Sequence, residues 1–173
     1  RCADSRAELM TAAAIRAELL HRALLETVGD TFNMMTVDGD TSTNDMVAIL
    51  ANGAAGNPEL TVAAGDYAVF LDALRMLCTR MVRCLAADGE GATKLLECRV
   101  AGGASDRDAR LAAKAVVNSA LLKSAMFGAD ANWGRVLCAM GYSKAPFRPE
   151  HVDIAFRSQA GEILVCRQGD GLE

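Results

Sequence analysis

The stretch from Thr36 to Asp45 crowds Asp38, Asp40, Asp45, Asn44 and the hydroxyls of Thr41, Ser42 and Thr43 into one loop between two apolar segments. Such a set could hold a cation. A calcium loop needs oxygen ligands at positions 1, 3 and 5, Gly at 6 and Glu at 12. Asp38, Asp40 and Ser42 fit the first three, but Thr43 and Ile49 occupy the last two. The better reading is a tight turn in which these side chains bond backbone amides, and which can shape a pocket. A second stretch, Asp88 to Lys94, places Glu90 between Gly89 and Gly91. It differs from the phosphate-binding loop G-x-x-x-x-G-K-[ST]. It also leaves a helix instead of entering one, so no helix N-terminus faces an anion. Glycines let a backbone approach another group closely. A carboxylate held there could pair with a substrate ammonium, or stand as an exposed turn acid.

A third stretch, Lys123 to Arg135, holds the single Trp. Gly128 can end one helix, and Asp130 or Asn132 can start the next. Trp133 is expected in the core, and Arg135 beside an Asp. His21 reads as solvated, and His151 has no Ser or Cys neighbour. Neither supports a hydrolytic triad.

The elements that must position these residues follow from periodicity. Residues 12–28, 65–87 and 105–126 carry apolar residues at helical spacing. Gly29 is a stop for the first, Gly65-Asp66 a start for the second, and Ser105 an N-cap for the third. Strands are expected at Phe32–Val37, Met46–Ala51 and Leu95–Val100. Val152–Phe156 and Ile163–Cys166 read as a hairpin. Helices alternate with strands that look partly antiparallel, giving an α/β or α+β layered class.

Composition bounds the rest. The 173 residues fit one domain, expected to span 1–173. A net charge of −4 gives no footprint for nucleic acid. No apolar run approaches the ~20 residues of a membrane span, and residues 1–6 show no secretory signal. The six cysteines form no C-x-x-C, so neither zinc nor a disulfide framework is supported. Reduced thiols and a cytoplasmic location are expected.

Three segments in order, TVDGDTSTND (36–45), GEGATK (89–94) and LKSAMFGADANWGRVLCAMG (122–141), resemble the ornithine acetyltransferases of arginine biosynthesis, also called bifunctional glutamate N-acetyltransferases. The resemblance runs from about Thr11 onward and fits that family's β-chain portion. It implies a layered α/β sandwich with a largely antiparallel sheet, as in the related self-cleaving aminopeptidases. It also implies a precursor that cleaves itself before a Thr, whose hydroxyl then carries the acetyl group. An N-terminal Thr is activated by a nearby amine. Acetyl would pass from N2-acetylornithine to glutamate, with oxyanion donors from the α chain of the same precursor. Neither metal, nucleotide nor acetyl-CoA is implied for that cycle, and the assembly implied is an α/β heteromer, often doubled. Glu90 matches the family's acidic substrate contact.

The departures are specific. Family β chains open with Thr-Met-Leu and an apolar strand ending in Thr-Asp-Ala. Aligning Thr11-Ala12-Ala13 with that ending puts Asp4 at the nucleophile, with Ser5 beside it. Arg6, Ala7 and Glu8 stand where apolar residues are expected. No nucleophile is recognisable, and neither the α half nor the family's C-terminal segment is matched. A non-catalytic binding or assembly module of the same fold, or a sister aminopeptidase, are the rival expectations.

Overall fold

A computed structural model describes residues 6–40 and 42–172. Asp4, Ser5, Cys2 and Thr41 lie outside the described residues. The chain forms two compact units, Arg1–Ala92 and Thr93–Glu173. Each is an α/β layer in which helices cover a sheet.

In the first unit, β1 (Arg6–Thr11) and β2 (Met46–Ala51) pair in parallel, Arg6 opposite Met46 and Met10 opposite Leu50. Alternation decides the faces. Ala7 and Leu9 are buried, while Arg6, Glu8 and Met10 are exposed. Two helices, α1 (Ala17–Asp30) and α2 (Asp66–Ala87), cover the inner face. Leu9, Leu19, Ala23, Tyr67, Leu74 and Cys78 form the core, flanked by Val47 and Ile49. A parallel pair cannot be closed by a hairpin, so α1 and the long loop after it make the crossover.

The second unit holds α3 (Asp106–Asn118), α4 (Ala120–Phe127) and α5 (Trp133–Gly141). They pack on the antiparallel sheet β3 (Ile154–Ser158), β4 (Gly161–Arg167) and β5 (Asp170–Gly171). Val116, Leu122, Val136, Ala139, Ile154, Val165 and Cys166 are its core. The expected hairpin is present, with Ser158 opposite Gly161.

Four expectations shift. Residues 12–16 are not helical, because the Ala14 amide donates to Asn57 Oδ1 (2.9 Å) and that of Arg16 to the Leu60 carbonyl (3.0 Å). Phe32–Val37 is not a strand. Phe32–Met34 is a 3₁₀ turn, and the Met34 and Met35 amides donate to the carbonyls of Thr31 and Phe32. Leu95–Val100 has alternating exposure but belongs to no strand among the described residues. Its Leu96 and Cys98 pack on the second core instead. The third predicted helix breaks at Ser119, which turns extended (φ −71°, ψ 113°) and caps α4.

Candidate substrate site

The acidic loop is internally bonded, as its composition suggested, but it lies in solvent. The Asp40 amide donates to Asp38 Oδ1 (2.9 Å) and the Asn44 amide to Ser42 Oγ (3.1 Å). Gly39 takes φ +92°, a left-handed bend that glycine alone adopts cheaply. The loop delivers the chain into β2. Since Arg6 pairs with Met46, it ends beside the entry to β1.

Glu90 rides a tight turn at the end of α2. The helix closes with the Asp88 amide on the Cys84 carbonyl (3.0 Å), and the Ala92 amide then donates to the Gly89 carbonyl (2.8 Å). Gly91 at φ +73° completes the reversal and leaves Glu90 exposed at the tip. A Cβ at Gly89 would stand 3.4 Å from Val37 Cγ1. The turn thus lies against the start of the acidic loop, at ordinary contact distance. Within this unit, two of the three sequence motifs are neighbours. The wider groove along α2, lined by Asp72, Arg75, Met76, Arg80 and Cys84, includes neither of them. Thr11 is engaged in its own turn, its Oγ1 accepting from the Ala13 amide (3.2 Å).

The third motif does structural work in the second unit. Asn132 caps α5, its Oδ1 accepting from the Arg135 amide (3.0 Å), while its Nδ2 donates to Asp130 (2.9 Å). Arg135 turns to a backbone carbonyl where an Asp was expected. Its Nη1 donates to the Leu121 carbonyl (2.6 Å). Lys94, the last residue of GEGATK, donates Nζ to the Met126 and Phe127 carbonyls, both at 2.8 Å. Those carbonyls end α4, where that of Met126 also accepts from the Ala129 amide (3.1 Å), and an ammonium placed there complements the negative end of the helix dipole. Sequence reasoning missed this clamp, although a Lys after a Gly-rich turn was its visible signal. Trp133 is half-buried and lies so close to β5 that a Cβ at Gly171 would fall 2.6 Å from its ring.

The titratable groups divide by burial. Burial pushes the thiols of Cys78 and Cys98 up, which keeps them protonated. Burial lowers Lys114, and the charge of Lys123 lowers it further. His21 and His151 are exposed. Among the described residues no three His, Cys, Asp or Glu side chains gather in a metal-holding group. No described helix is long and apolar enough to cross a membrane. The chemistry available here is that of an exposed carboxylate on a fixed turn, beside a hydroxyl- and carboxylate-rich loop.

The ArgJ family model matches residues 7–173. The arginine biosynthesis bifunctional protein ArgJ 1 of Clostridium acetobutylicum is 49% identical over 164 residues, covering 95% of this chain and 40% of that protein. The ArgJ protein of Symbiobacterium thermophilum is 52% identical over 160 residues, 92% of this chain and 39% of its own length. The crystal structure of the ArgJ protein of Bacillus halodurans superposes with a TM-score of 0.89 at 43% identity. That match covers 96% of this chain and 76% of the other. The chain thus spans about two-fifths of the length of the curated relatives it matches.

Proposed function

The chain belongs to the ArgJ family, and from that premise we propose that it is the β-type portion of an ornithine acetyltransferase. In this reading it works in the cytoplasm, in arginine biosynthesis, as an acyltransferase. The N2-acetyl group of acetylornithine moves to a hydroxyl of the chain as ornithine leaves. The amine of glutamate then attacks that ester and carries the acetyl away. An α chain completes the site with oxyanion donors, which stabilise each tetrahedral intermediate.

The observation that carries the reading is the Glu90 turn. Its carboxylate is exposed on a turn held by the Ala92–Gly89 hydrogen bond (2.8 Å) and the left-handed Gly91, against the start of the acidic loop. We assign it the ornithine ammonium. A charge-assisted hydrogen bond of this kind contributes about 1.5–3 kcal/mol. Glu90→Gln in the complex with an α chain is therefore expected to lower kcat/KM for N2-acetylornithine by roughly 10- to 100-fold. Constants for glutamate binding to the acyl-enzyme should change less. An unaltered kcat/KM for acetylornithine removes Glu90 from the site.

A second reading rests on Asp4, which stands where the resemblance expects the nucleophilic Thr. Under it the chain keeps the fold and acts as a binding or assembly module. Acetylation of the chain by N2-acetylornithine separates the two. Peptide mapping would begin at Ser5, because Thr11 Oγ1 already accepts a backbone bond.

A further inference from the structure

Glu90 can hold an ammonium at one place only if its turn stays at one place. The bonds within the turn are local. The Asp88 amide closes α2 on the Cys84 carbonyl (3.0 Å), and the Ala92 amide reaches the Gly89 carbonyl (2.8 Å). They set the shape of the turn but not its place against the rest of the unit. On the Gly91 side there is open space, for a Cβ there would meet nothing within 4 Å. On the Gly89 side a Cβ would stand 3.4 Å from Val37 Cγ1, and 3.5 and 3.6 Å from the sequence neighbours Ala86 O and Ala92 Cβ. Val37 is thus the group from a distant part of the chain that faces the turn. It is itself held from both sides. Before it, the Met34 and Met35 amides donate to the carbonyls of Thr31 (2.9 Å) and Phe32 (3.1 Å), and Phe32 packs on the first core. After it, Asp38 Oδ1 accepts from the Asp40 amide (2.9 Å) and Gly39 bends at φ +92°. A β-branched side chain on such a backbone has little rotamer freedom left to lose. Val37 is 46% exposed, so shortening it removes little buried apolar area.

We propose that Val37 is a positioning residue for the substrate ammonium: its γ carbons stop the Gly89 side of the turn and so fix where the Glu90 carboxylate stands. The proposal rests on the reading of Glu90 as the partner of that ammonium. It adds a specificity role for the start of the acidic loop, through an apolar side chain and not through its carboxylates. Val37 would then favour an amino acid with a cationic side chain over one of the same length without the charge. A turn that is competent for only part of the time lowers apparent affinity by that fraction.

The test measures binding of L-ornithine and of L-norvaline, the same carbon chain without the side-chain ammonium, to the complex of the full chain with an α chain. Calorimetry reads both. Neither compound carries an acetyl group, so the result does not depend on transfer. The variants are Val37→Ala, Val37→Ile, Glu90→Gln and the double variant Val37→Ala/Glu90→Gln, with urea midpoints to confirm that each folds. The parent should prefer ornithine by roughly tenfold or more, as a charge-assisted bond implies. Val37→Ala should weaken ornithine about three- to tenfold, the loss for a site competent roughly a tenth to a third of the time. Norvaline should be unchanged by it, and Val37→Ile, which keeps both γ carbons, should bind ornithine like the parent. In the Glu90→Gln background Val37→Ala should have no further effect, because the two act on one contact. Parent-like ornithine binding by Val37→Ala overturns the proposal. So does an equal loss of ornithine and norvaline, which marks a general structural role, or a loss that simply adds in the double variant. Glu90→Gln keeps the two claims apart. If it abolishes the preference for ornithine while Val37→Ala retains it, the Glu90 reading stands and the positioning role falls. If it leaves the preference intact, or if the parent shows none, both fall.

Discussion

At the scale of single residues, one motif divides between a proposed substrate contact and a structural one. Glu90 is exposed at the tip of its turn, while Lys94, four residues later, is spent on the end of α4. The sequence marked Glu90 through its flanking glycines, but it could not show what the glycines approach. That answer, Val37 for Gly89, comes from a contact across about fifty residues of chain. Gly171 is a position where a side chain does not fit without movement of its neighbour. The ring of Trp133 occupies the space a Cβ would need, at 2.6–2.8 Å. Gly171→Ala should destabilise the chain by about 1–3 kcal/mol, the usual cost of overpacking. The urea midpoint, followed by fluorescence of the single Trp, measures it. An unchanged midpoint would mean that β5 moves aside freely.

At the scale of elements, Ser119 does what periodicity could not announce. Apolar spacing runs unbroken from 105 to 126, yet the chain splits into α3 and α4. The Ser119 side chain accepts from the Leu122 amide (3.2 Å). Ser119→Ala should cost about 1 kcal/mol as a lost N-cap, read from thermal or urea unfolding, whereas Ser119→Asp should recover most of it. Lys114 on α3 gives a pH-dependent prediction. Its folded pKa lies below the ordinary 10.5, by burial first and Lys123 second. The folded state therefore binds this proton less well than the unfolded state, and stability is lost while Lys114 is charged. Lys114→Met should stabilise the chain at neutral pH. That advantage should shrink as pH rises from the lowered folded value toward 10.5. Urea midpoints of parent and variant, compared at both ends of that window, test the sign.

The long helices, β2 and the closing hairpin were legible because their apolar spacing is strong and their ends carry caps or glycines. β1 was not, since Arg6 and Glu8 break its apolar run and only its inward half, Ala7 and Leu9, is buried. The segment Phe32–Val37 misled for the opposite reason. Its composition suits a strand, but Thr31 donates its hydroxyl back to the Thr27 carbonyl (2.7 Å), and local turns take the next amides. Leu95–Val100 shows strand-like alternation without a ladder among the described residues. Alternation reports burial on one side and says nothing of what pairs with the backbone.

At the scale of the whole molecule, the chain is two compact α/β units with the family's three motifs distributed between them. One motif builds a loop, one builds the Glu90 turn and the Lys94 clamp, and the third closes and restarts helices. Relatives of this family are more than twice as long as the matched segment, so the activity proposed belongs to an assembly. The most direct test takes the purified complex with an α chain, adds N2-acetylornithine without glutamate, and reads intact mass. The account predicts that this chain gains one acetyl group, that ornithine is released in equal amount, and that added glutamate removes the acetyl as N-acetylglutamate. An unchanged mass in an intact complex, with no ornithine released, would contradict it.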